Sequence, residues 1–75
     1  MNLTQLQSGQ KAIISKVNGD LLALKLFEMG MLPGETIALE NIAPFGDPIA
    51  FALNESKICL RLADAACVEI KLIEN

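Results

Sequence analysis

The chain has 75 residues, a net charge of −3 and 52% apolar residues. That length fits one domain over residues 1–75 with a small core, since a chain of this size buries roughly 60% of its unfolded surface. The acidic balance, with six basic residues scattered singly, argues against a nucleic-acid partner, which needs clustered Lys and Arg to displace counterions.

The first ten residues read as a leader. Leu3 and Leu6 are three apart, which suits one helical turn or an anchor over the core, and Gly9 ends it. Residues 11–17 read as a first strand with Ala12 and Ile14 inward; Val17 points the same way only if a bulge intervenes.

The next stretch, from Asp20 to Gly34, is the one credible helix. Asp20 is placed to cap its first free N–H groups and to sit at the positive end of the dipole. Gly30 takes the left-handed conformation that closes a helix. Pro33-Gly34 then blocks resumption and fits the centre of a type II turn. Leu22, Leu26 and Met29 have the i, i+4, i+7 spacing of a buried stripe. The opposite side carries Leu21, Leu24 and Phe27, with only Lys25 and Glu28 as charges after Asp20. A helix apolar all round must be covered on more than one side. Either Leu3 and Leu6 fold over it, or another protein does.

Four more strands follow. Residues 35–42 alternate with Ile37 and Leu39 inward, and 49–53 with Ile49, Phe51 and Leu53 inward. Asn54 is the residue best able to accept a positive φ in the connection to the next strand, 57–62, where Ile58, Leu60 and Leu62 face one way and Lys57, Cys59 and Arg61 the other. Residues 63–66 allow a single helical turn. Val68, Ile70 and Leu72 alternate with Glu69 and Lys71 in the last strand. Between the second and third strands, the two prolines and one glycine of residues 43–48 forbid regular structure. Five short strands with one helix inserted after the first predict a mainly β fold, a small antiparallel barrel or paired sheet.

Catalytic chemistry is absent from this pattern. There is no histidine, hence neither the commonest general base nor the commonest transition-metal ligand. No phosphate-cradling glycine motif occurs, and Ser8, Ser15 and Ser56 have no histidine to activate them. The reading is not an enzyme. The carboxylates are dispersed, Cys59 and Cys67 form no CxxC, and both read as free thiols in a reducing compartment. No stretch reaches bilayer length and residues 1–5 lack the features of a signal peptide, so a cytoplasmic location is expected. For recognition, the loop at 43–48 stands out. Phe45 is either an exposed contact on a stiff loop or a side chain folded back on the core, and Asp47 either faces a partner or caps its own turn before Pro48. Arg61 pairs with Asp64 or Glu69 on the surface, or meets a partner.

The order Gly9…Ala12-x-Ile14, Leu26-x-x-Met29-Gly30-Met31-x-Pro33-Gly34, Ala43-Pro44-Phe45-Gly46-Asp47-Pro48-Ile49, Leu60-Arg61-x-x-x-Ala65 and Val68 resembles the FeoA family, the small cytoplasmic component of bacterial ferrous iron transport. The likeness runs through nearly the whole chain. It implies an SH3-like barrel and a role beside FeoB, the membrane transporter, with no resident cofactor and Fe²⁺ bound at most transiently. Phe45 stands where the family usually carries leucine, and Lys25 where it often has arginine. Taken with the apolar surplus of the helix, the expectation is an accessory protein docking through Leu21, Leu24, Phe27, Met31, Phe45 and Asp47. The alternative is a regulatory domain that binds a transition-metal ion through carboxylates and thiols, as a homodimer.

Overall fold

A computed structural model describes residues 1–73; Glu74 and Asn75 of the expected domain lie outside the described residues. The chain runs through a 3₁₀ turn (Leu3–Gln5), β1 (Lys11–Val17), α1 (Asp20–Glu28), β2 (Thr36–Ile42), β3 (Ile49–Leu53), β4 (Ser56–Leu60), α2 (Leu62–Ala65) and β5 (Val68–Leu72). The strands form one antiparallel sheet in the order β4-β3-β2-β1-β5. This is the mainly β, SH3-like arrangement expected, with the helix between the first two strands.

Period-two alternation puts one face of each strand inside. In β3, Ile49, Phe51 and Leu53 are buried and the alanines between them are half-buried. The register of β1 against β5 shifts between Ile14 and Lys16, the bulge that Val17 requires, and Val17 packs on the core. A second shift, between Leu39 and Asn41 in β2, has the same effect of bending and twisting its strand. The hairpin from β3 to β4 turns at Asn54, whose φ is +55°. β4 ends two residues earlier than its alternation predicts. Leu62 leaves the sheet to start α2 and is exposed.

The leader is structural. The Asn2 side chain accepts from the Thr4 N–H at 2.9 Å, and Gln5 Oε1 accepts from the Asn2 N–H at 2.8 Å. This reciprocal capping fixes the 3₁₀ turn. The Met1 carbonyl accepts from the Ile70 N–H at 2.9 Å, and Asn2 bridges to Glu69, so the leader covers the outer edge of β5. Leu3 and Leu6 enter the core cluster, and the 3₁₀ turn packs against α2 and β5. The leader does not cover the outer side of the helix, where Leu21, Leu24 and Phe27 stay exposed.

Candidate functional site

α1 begins without the expected cap. Gly19 occupies the N-cap position at φ +100° and no side chain bonds there; Asp20 is already the first helical residue. A carboxylate in the first turn still favours the helix dipole. The C-terminal end matches its signal. Gly30, at φ +91°, lets the Met31 N–H reach the Leu26 carbonyl at 2.9 Å and the Gly30 N–H reach the Phe27 carbonyl at 3.0 Å. These two bonds are the Schellman closure. Pro33 and Gly34 then form the expected turn, with the Glu35 N–H on the Leu32 carbonyl at 3.1 Å. The Gly34 N–H donates to the Ile14 carbonyl at 2.7 Å, and the Ile14 N–H to the Glu35 carbonyl at 2.9 Å. The turn is thereby held against β1, which sets the helix on one end of the barrel.

This closure corrects two expectations. Met29, read as part of the buried stripe, is the C-cap residue and is 39% exposed. Met31, read as a surface contact, is 1% exposed. A Schellman motif brings the residue after the glycine back over the last turn, where an apolar side chain packs inward; Met31 and Leu26 lie in the same core cluster. Inward, α1 therefore contributes Leu26 and part of Leu22. Outward, Leu21 is 86%, Leu24 58% and Phe27 60% exposed. These three follow one another at i, i+3 spacing and form a continuous strip. Beside the strip, between α1, the bulged end of β1 and the Pro33 turn, lies an apolar groove of ≈ 250 Å³ whose walls include Lys16, Val17, Ala23, Phe27, Leu32 and Pro33. The sequence reading missed this groove. Its signals were present in the bulge that Val17 demands and in the Pro33-Gly34 stop.

Phe45 is elsewhere. The loop is closed by the Gly46 N–H on the Ala43 carbonyl at 2.7 Å and the Ala43 N–H on the Pro48 carbonyl at 3.1 Å, and it holds the Phe45 side chain 99% exposed. The Asp47–Pro48 peptide is cis. Asp47 does not cap its own turn, and only one of its carboxylate oxygens is engaged. Its Oδ1 accepts from the Leu62 N–H at 2.9 Å, so it satisfies the first backbone donor of α2 from a distant loop. The groove lies at the N-terminal end of β2 and the Phe45 loop at its C-terminal end. The seven residues of β2 run between them, a path of about 20 Å along the strand at ~3.3 Å per residue. Of the six residues read as one surface, Leu21, Leu24 and Phe27 stay together, Phe45 stands apart, Met31 is interior and Asp47 serves the fold.

Cys59 is exposed on β4 and Cys67 is half-buried, its thiol donating to the Ala63 carbonyl at 3.5 Å. Among the described residues, no three of His, Cys, Asp or Glu gather where a metal ion would sit. Arg61 pairs with Asp64 at 3.7 Å and Lys57 with Glu40 at 3.3 Å. Both cations are well exposed, so these pairs contribute little. No helix among the described residues is long and apolar enough to cross a membrane.

Comparison with known proteins agrees with this architecture. The model of the FeoA domain matches residues 1–72. A fusion protein of Fe(2+) transport protein A and the Fe(2+) transporter FeoB from Porphyromonas gingivalis is 34% identical over 76 residues; the match covers all of this chain but only 9% of the fusion protein. The solution structure of iron(II) transport protein A from Clostridium thermocellum is 35% identical, with a TM-score of 0.90 over 97% of this chain and 46% of that one. The crystal structure of Stenotrophomonas maltophilia FeoA complexed with zinc, described as a prokaryotic SH3 domain protein, is 25% identical with a TM-score of 0.80, over 95% of this chain and 89% of that one. With its barrel, its inserted helix and a family match along almost its whole length, the chain belongs to the FeoA domain family, which is associated with ferrous iron transport.

Proposed function

We propose that the chain is a non-enzymatic accessory module that docks on the cytoplasmic side of a FeoB-type ferrous iron transporter through the outer face of α1 and modulates it. The observation that carries this reading is the strip of Leu21, Leu24 and Phe27, exposed on a helix whose other side is anchored in the core. Fully burying a leucine or phenylalanine side chain is worth ~1.5–3 kcal/mol, so a partner that covers the strip gains from all three. The P. gingivalis relative supports the choice of partner. There the homologous module shares one chain with a FeoB transporter, and tethering raises the effective concentration of two parts that meet. Iron enters as the transporter's cargo.

Capture of a FeoB-type transporter by the wild-type chain, compared with Leu24→Asp, Phe27→Asp and Phe45→Ala, tests the reading. Either aspartate is expected to weaken capture about tenfold or more, as loss of an apolar anchor does. Phe45→Ala, at the far end of β2, is expected to retain it. Equal retention of all four proteins counts against the surface.

The zinc in the S. maltophilia structure raises the second reading, a metal-responsive domain. The donor set of this chain does not fit it. Cys59 points outward from β4, the Cys67 thiol is held on a backbone carbonyl, and no third ligand joins either among the described residues. Anaerobic calorimetric titration with Fe²⁺, on the wild type and on Cys59→Ser with Cys67→Ser, decides the matter; micromolar binding lost in the variants would promote the metal reading over docking alone.

A further inference from the structure

The docking reading leaves two features unused. One is the groove beside α1, and the other is the fully exposed Phe45, past the far end of β2. We propose that the groove receives Phe45 from a second copy of this chain, so that the protein self-associates head to tail.

Size agrees. A cavity of about 150 Å³ lined by apolar side chains is enough to hold benzene, and this groove measures ≈ 250 Å³. The loop presents its ring with little freedom left to lose, since Pro44, Pro48 and two backbone hydrogen bonds fix its course; a preorganised aromatic contact costs less to order. Charge agrees as well. Lys16 is the one charged residue in the groove wall, and Asp47, two residues from Phe45, is the one charge on the loop. The Leu62 N–H uses only Oδ1 of Asp47; Oδ2 has no hydrogen-bond or ion-pair partner among the described residues. Seating Phe45 therefore brings a carboxylate toward a lysine, which opposes the general repulsion between two copies of net charge −3.

Phe45 does not fill its own groove, since its side chain is 99% exposed and the length of β2 lies between the two. The contact is heterologous: each copy offers a loop at one end and a groove at the other, so a third copy can join a pair. Phe27 belongs both to the groove and to the strip assigned to the transporter. Self-association and docking therefore compete, and the associated form is a reserve that does not engage the transporter.

Sedimentation velocity on the full chain, from about 10 μM to about 1 mM, tests this. The wild type is expected to gain average mass with concentration. Phe45→Ala and Lys16→Glu, both at exposed positions, are expected to raise the dissociation constant about tenfold. Phe45→Ala keeps a groove and no ring; Phe27→Asp keeps a ring and no usable groove. Each alone is expected to associate at least about tenfold more weakly than the wild type, whereas their mixture forms a pair that stops at two. Circular dichroism melts that match the wild type establish that the variants are folded. A wild type that stays monomeric throughout the range overturns the proposal. So does a folded Phe45→Ala that associates as the wild type does, because another surface would then be responsible.

Discussion

The leader and α1 treat leucine differently. In the leader, Leu3 and Leu6 are buried, and Met1 and Asn2 cover the outer edge of β5. On α1, Leu21, Leu24 and Phe27 face solvent and the groove beside them is open. A chain this small cannot seal both. An exposed strand edge invites pairing with other chains, whereas an exposed helix face has its backbone already bonded within itself. Covering β5 with the leader therefore removes that hazard at one of the two sheet edges, and the helix face left open is one that associates through side chains alone.

Substitutions test this contrast, and urea unfolding at constant m-value reads each of them. Phe51→Ala, at the fully buried centre of β3, is expected to cost about 3–5 kcal/mol. For a domain with only ~5–15 kcal/mol in total, that approaches unfolding. Leu3→Ala is the sharper probe of the leader. Its side chain is as buried as those of the strands, so a loss of ~2–4 kcal/mol is expected; a loss under about 0.5 kcal/mol, typical of a surface site, would show that the leader is dispensable. Asp47→Ala removes the acceptor for the Leu62 N–H and is expected to cost about 1 kcal/mol, as loss of a cap does, with Asp47→Asn losing less because its carbonyl can still accept. Leu21→Ala, the same chemistry as Leu3→Ala at an exposed position of α1, is expected to stay within ~0.5 kcal/mol of wild type.

Much of this was legible in the residues. The strands declared themselves through alternation, since one buried face leaves a period of two, and Val17 forecast its own bulge. The stop of α1 was written in Gly30, Pro33 and Gly34. What failed did so where a local motif overrode periodicity. Met29 fits the helical stripe by spacing, but the Schellman closure makes it a cap and sends Met31 inward instead. Leu62 fits the alternation of β4, but Asp47, fifteen residues earlier, gives its N–H a partner that a helix start requires. The cap of α1 failed for a related reason: Gly19 takes a positive φ that puts Asp20 one position too late to act as the N-cap.

Of the candidate surface, the helix strip was legible because Leu21, Leu24 and Phe27 have no business on the polar side of a solvated helix. The distance between that strip and Phe45 was not. It depends on strand order and on which end of β2 each loop occupies, and neither is encoded in the local pattern. Asp47 shows the same limit from the other side, because its role appears only once β4 and the loop are brought together.

The most direct test of an open docking face is to follow the backbone amide signals of the isotopically labelled chain while a FeoB-type transporter is added in lipid nanodiscs. At a concentration where the chain alone is monomeric, signals of Leu21 to Glu28 and of the neighbouring Lys16 and Leu32 should broaden first, while those of the leader and β5 persist. Broadening confined to the leader and β5, with α1 unchanged, would contradict the account.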